Sequence, residues 1–137
     1  MSQWMIGQLS PEVSKRAAGN LAEDKAADYL QARGLKIIAR NFYSRGGELD
    51  IIAGETEGFL ARMCHIIFCE VRSRKNMGYG SALESITPKK QQRIRQTAEY
   101  FLLKHQQMQK LPARFDVVIV PVNDSGSNGI EWIKNAF

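Results

Sequence analysis

The chain has 137 residues, 44% of them hydrophobic, 24% charged and 9% aromatic, and a formal net charge of +5. That length fits one domain around a single core, and the hydrophobic share excludes disordered and fibrous classes. Apolar runs such as Ile66-Ile67-Phe68-Cys69 are far too short to span a bilayer.

Met1–Leu9 has neither the basic nor the apolar segment of a secretory signal. Ser10-Pro11-Glu12 is a helix start, with a hydroxyl cap and proline in the first turn. Ala22, Ala26, Tyr29 and Leu30 recur at helical steps to about Ala32, and Gly34 reads as the residue that ends the helix. Leu35–Ala39 and Glu48–Ala53 are strands around a Ser44-Arg45-Gly46-Gly47 turn, and Gly54–Gly58 is turn-like. Phe59–Cys64 fits either state, and His65–Arg72 is the strongest strand. Asn76–Gly80 reads as a loop. Thr87-Pro88 opens a second helix with a buried stripe of Ile94, Ala98, Phe101, Leu102 and His105, leaving Lys89, Gln92, Arg93 and Gln96 outward. Phe115–Val120 and Ile130–Ile133 are the last strands, separated by a polar turn at Asn123–Gly129. The order α-β-β-β-α-β-β predicts an α/β fold, a mixed sheet flanked by helices. Cys64 and Cys69 are too few for a disulfide framework and match no zinc spacing, so they read as free thiols of a cytoplasmic protein.

Charge is unevenly spread. Arg72, Arg74, Lys75, Lys89, Lys90, Arg93 and Arg95 stand against Glu84 alone between positions 72 and 95. Such a patch on a near-neutral body suits a polyanionic partner, nucleic acid above all. A solvated helix face is the alternative reading of the same residues.

Acidic residues interrupt the apolar strands. Strict alternation puts Glu48, Asp50 and Ile52 on one side, and Ile66, Phe68, Glu70 and Arg72 on one side of the next strand. Paired as a hairpin, these strands bring Asp50 and Glu70 together. Two adjoining carboxylates need a proton or a cation between them, and oxygen-only ligands suit a hard divalent ion. A solvated sheet face whose charges block edge pairing, or an ion pair of Arg72 with Glu70 or Asp50, is the alternative. Glu23 lies one step round from the Ala22/Ala26 stripe, within reach of the sheet edge.

The segments Gly46-Gly47-Glu48-Leu49-Asp50-Ile51-Ile52 and Phe68-Cys69-Glu70-Val71-Arg72-Ser73-Arg74 resemble the YraN-like family of small bacterial proteins. Shorter matches keep the same order, among them Glu23-Asp24-Lys25-Ala26, Arg40-Asn41-Phe42, Thr87 with Lys90-Gln91, and Arg114–Val118. The resemblance covers nearly the whole chain and implies a restriction-endonuclease-like αβββαβ core, similar to archaeal Holliday-junction resolvases. It implies a Mg²⁺- or Mn²⁺-dependent endonuclease acting on branched or structured DNA, for which the two-fold symmetry of a junction would suit a homodimer; the short apolar runs give no membrane partner. Glu23, Asp50 and Glu70 match the metal-binding carboxylates, and Arg72 and Gln91 match further catalytic positions. Arg74, Lys75, Lys89, Lys90, Arg93 and Arg95 would then bind phosphates. Three departures stand out: Ala22 replaces a usual glycine, the stretch from Asp50 to Glu70 is longer, and Arg72 replaces lysine. Arginine stays protonated, so it stabilises charge but cannot act as a base. A non-catalytic nucleic-acid-binding module on the same scaffold, or a scaffold for an acidic protein, is therefore the competing expectation.

Overall fold

A computed structural model describes residues 21–74, 79–122 and 129–137. Of the expected elements, the helix start over 10–20, the loop over 76–78 and the polar turn over 123–128 lie outside the described residues. In chain order the elements are α1 (Leu21–Ala32), β1 (Lys36–Ser44), β2 (Gly47–Glu57), β3 (Arg62–Arg74), α2 (Tyr79–Glu84), α3 (Pro88–Lys104), a 3₁₀ turn (Gln106–Met108), β4 (Ala113–Pro121) and β5 (Glu131–Ile133). The five strands form one sheet in the order β1-β2-β3-β4-β5. All neighbours run antiparallel except β3 and β4, which are parallel. A parallel neighbour needs a crossover, and α2 and α3 lie within it. This is the expected mixed sheet and αβββαβ core.

Two apolar layers sandwich the sheet. On one face Leu49, Ile52, Ile66, Phe68 and Val117 pack with Ile94, Ala98 and Phe101 of α3. On the other, Ile51, Ala53, Ile67, Cys69 and Val118 pack with Ala26, Ala27 and Leu30 of α1. The predicted α3 stripe is buried except for half-exposed Leu102, and it also includes Thr97. Thr97 fits there because its hydroxyl meets both the Arg93 carbonyl and Ser44 Oγ, each at 3.0 Å. The Thr87 hydroxyl accepts from the Lys90 N–H at 3.2 Å, as its cap position requires. Among the described residues no helix is long and apolar enough to cross a membrane.

Three sequence expectations are corrected. Gly54 does not end a strand: β2 continues to Glu57, and the turn falls at 58–61. Gly54 instead leaves room for Met63, whose Cε would lie 2.5 Å from any Cβ there. Tyr79 and Gly80 open the short helix α2 rather than ending a loop. Strict alternation also fails in β2, where Leu49 and Ile52 share one layer while Ile51 and Ala53 share the other. The change of face falls at Asp50, between the pairs Arg40↔Ile51 and Phe42↔Leu49, and Asn41 between Arg40 and Phe42 lies in the left-handed region with φ 51°. Left-handed backbone is costly for most side chains and least so for asparagine and aspartate, so the irregularity is a built feature.

Candidate functional site

The irregularity at Asp50 lies where β2 runs beyond its pairing with β3, which starts at Ile51↔Cys69. Released from the ladder, the Asp50 carboxylate accepts the Val71 N–H at 2.8 Å. Helix α1 brings Glu23 over the same place. Buried Asn41 donates its amide to both Glu23 oxygens at 2.9 Å, and Arg40 approaches Glu23 at 3.6 Å while binding Asp24 at 2.7 Å. Glu23, Glu48 and Asp50 each offer an oxygen within 4.8 Å of the others.

Glu70 adjoins this trio from β3, and its Oε2 binds Arg72 Nη2 at 2.9 Å. The two carboxylates Asp50 and Glu70 line one cleft of about 260 Å³ with Glu48, Arg72, Lys90 and Arg93. The Gly46-Gly47 turn and Ile94 complete its lining. Helix α3 comes so near this turn that a Cβ on Gly46 would stand 3.2 Å from the Gln96 side chain.

Electrostatics follow from this crowding. Burial raises the pKa of Asp50 well above the ordinary carboxylate value, and the facing Glu70 charge adds to it, against the opposing Val71 hydrogen bond. Burial also raises Glu70, with the Arg72 guanidinium working the other way. Glu23 is raised by burial too, and Asn41 and Arg40 hold that rise back. For Glu23, Asp50 and Glu70 alike, burial makes the ionised form costly, which is the condition of a site that welcomes a cation or a proton.

The structure brings together the predicted Glu23, Asp50, Glu70 and Arg72. It does not bring Gln91 into the cleft. That amide turns back to donate to the Ile86 carbonyl at 3.1 Å, bracing the entry to α3. The predicted basic patch divides. Lys90 and Arg93 line the cleft, whereas Arg95 lies over the Phe115 ring at 4.9 Å and Arg74 donates to the Gly129 carbonyl at 2.9 Å. Lys89 is exposed outside the cleft lining, and Lys75 lies outside the described residues.

Two members of the site escape sequence reasoning. Glu48 shares strand parity with Asp50, and that parity is the one signal that points to it. Asn41 gives no periodic signal, because its role depends on a left-handed backbone. Its Oδ1 is buried without a hydrogen-bond partner.

The model of the uncharacterised protein family UPF0102 matches residues 22–120. A UPF0102 protein of Pseudomonas putida strain W619 is 39% identical over 127 residues, covering 93% of this chain and 98% of that protein. A UPF0102 protein of Legionella pneumophila strain Corby is 40% identical over 119 residues, covering 87% and 92%. The match takes in every predicted acidic position from Glu23 to Glu70, and the chain belongs to the UPF0102 family, the YraN-like group that its motifs resemble.

Proposed function

We propose that the protein is a Mg²⁺- or Mn²⁺-dependent endonuclease acting on DNA, with branched or otherwise structured DNA as substrate. The supporting observation is the gathering of Glu48, Asp50 and Glu70 in one cleft with Arg72, Lys90 and Arg93, with Glu23 beside them. The donor set is all oxygen, as hard divalent cations require. The Oδ1 of Asn41, on the side chain that binds Glu23, is buried and has no hydrogen-bond partner, which leaves it an unused acceptor. Glu23, Glu48, Asp50 and Glu70 would hold the cation. When bound, it supplies polarisation of a phosphoryl oxygen and a more acidic water.

The chain's own cations do the rest. Arg72 stays protonated and offers charge to the phosphoryl group in the transition state. Lys90 and Arg93 grip the phosphates on either side of the scissile bond, which positions DNA without reading its sequence. An open groove of about 560 Å³ continues from the cleft past Ser44, Arg45, Arg93 and Gln96, giving the strand a path. A four-way junction has two-fold symmetry, so on that substrate the working form is a homodimer.

Cleavage of a four-way junction, a flap and plain duplex, with Mg²⁺ or Mn²⁺ added, tests this reading. Asp50→Ala should lower the rate at least ~100-fold, since even outer-shell changes at metal sites cost up to that much. Equal cleavage by wild type and variant would defeat the proposal. A second reading, a non-catalytic nucleic-acid-binding module, is favoured by one contact: Arg72 already neutralises Glu70 at 2.9 Å. Calorimetry separates them, because the module binds no Mn²⁺ at millimolar concentration.

DNA affinity gives an independent expectation. Each phosphate contact releases condensed counterions, so Lys90→Ala with Arg93→Ala should flatten the slope of log K against log salt by about 1.8 on duplex DNA. Both side chains are exposed, so melting should scarcely change. An unchanged slope would move the DNA surface away from this cleft.

A further inference from the structure

The β2–β3 hairpin outruns its neighbours. Pairing of β1 with β2 begins at Gly54, and pairing of β4 with β3 begins at Ile66. Residues 55–65 therefore project as a two-stranded ribbon, tipped by fully exposed Phe59 and by Leu60. A bare two-stranded ribbon is marginally stable in water.

At the root of this ribbon the ladder is irregular. Glu55 pairs with His65, the next pair is Thr56 with Met63, and Cys64 is the extra residue between them. Bulges re-aim side chains, and this one gathers three chemically different donors. One Glu55 oxygen, the Cys64 Sγ and one His65 ring nitrogen lie within 4.8 Å of one another. His65 Nδ1 stands 3.5 Å from Glu55 Oε1 on a side chain that is 40% exposed, and the atom itself is covered and makes no hydrogen bond. The Glu55 carboxylate is held in place by Arg114, whose Nη1 approaches at 3.2 Å while its Nε binds Asp116 at 3.0 Å. A carboxylate oriented by an outer hydrogen bond is the usual surrounding of a metal ligand. Cys64 is a free, half-buried thiol.

We infer that Glu55, Cys64 and His65 form a second metal site, of zinc type, that clamps the projecting hairpin. Thiolate, imidazole and carboxylate together suit Zn²⁺ or Co²⁺ and not Mg²⁺, so the two sites differ in the ion they select. Three protein ligands leave a fourth position for water. The thiol proton is released to solvent as the metal–sulfur bond forms. Cysteine spacing gives no hint of this site, because two of its ligands are neighbours that only a bulge turns together.

Cobalt reports the site directly. Adding one equivalent of Co²⁺ to the reduced full-length protein should give cobalt–thiolate charge-transfer absorption with tetrahedral d–d bands. Cys64→Ser should abolish the charge-transfer band. His65→Ala should weaken Zn²⁺ binding at least about tenfold. Asp50→Ala should leave both readouts unchanged, which separates this site from the acidic cleft. Zn²⁺ should also slow proteolytic cutting at residues 58–61 in wild type. No thiolate band at stoichiometric cobalt would overturn the site, as would an equal band in Cys64→Ser. Should Cys64→Ser fail to fold, His65→Ala and wild-type proteolysis still decide, and Zn²⁺ affinity and cutting rates unaltered in both would reject it.

Discussion

Asp116→Ala should destabilise the protein by about 3–5 kcal/mol, the usual cost of breaking a buried ion pair by removing one partner. Asp116 is fully buried in β4. Its two oxygens accept Arg114 Nε at 3.0 and 3.2 Å, Trp132 Nε1 at 2.8 Å and the Asn135 N–H at 2.9 Å. Alanine would orphan all three donors at once and leave Arg114 paired with Glu55 alone. The melting temperature should fall by roughly 10 °C or more for a domain of this size. Asp116→Asn should fall between, since its amide oxygen still accepts while its NH₂ faces donors. Thermal unfolding followed by circular dichroism measures both. A drop under about 2 °C would mean that water replaces the carboxylate without penalty.

Asp50→Asn should do the opposite to stability while removing metal binding. The folded-state pKa of Asp50 is raised, chiefly by burial and then by Glu70. An acid with a raised folded pKa binds its proton more tightly in the folded state than in the unfolded state. Stability must then fall as pH climbs from the ordinary carboxylate value through the raised folded one, and above it the destabilisation is complete. Metal-free wild type should accordingly gain stability as pH falls through the raised folded value of Asp50. Asparagine removes the charge yet still accepts the Val71 N–H. Where Asp50 is ionised, the substitution should stabilise the metal-free protein by about 0.5–2 kcal/mol, the common gain from one stabilising substitution. It should also flatten the pH dependence, and Mg²⁺ should raise the melting temperature of wild type only. Denaturant titrations at several pH values, with and without Mg²⁺, check this. A variant less stable than wild type would show that the site carboxylates are already compensated.

What the sequence reveals and what it hides divide along physical lines. The α3 start is legible because Thr87-Pro88 satisfies a helix end by local chemistry alone, and the α3 stripe because burial imposes a period. Asp50 and Glu70 stand out because a carboxylate in an apolar strand is expensive unless something compensates it. The length of β2 is hidden, since Gly54 and Gly58 look alike in sequence. Only packing reveals that Gly54 makes room for Met63 whereas Gly58, at φ 78°, makes the turn. Asn41 is hidden for a related reason. Period-two reasoning assumes a regular strand, and the Asn41/Asp50 irregularity breaks that rule where the site is built. Gln91 misleads because a polar side chain at a helix start serves the backbone as readily as a ligand.

The parallel β3–β4 pair bears on the order in which the chain folds. Hairpins β1–β2 and β2–β3 close through short turns, whereas β4 meets β3 only after residues 75–112 have crossed over. Closing the longer loop costs more entropy, so Glu48, Asp50 and Glu70 should assemble before α3 delivers Lys90 and Arg93. The transition state for docking α3 then inherits a nucleus whose carboxylates repel one another. Divalent cations present during refolding should speed that docking step, and stopped-flow refolding at matched ionic strength would show no acceleration if the crossover instead formed first.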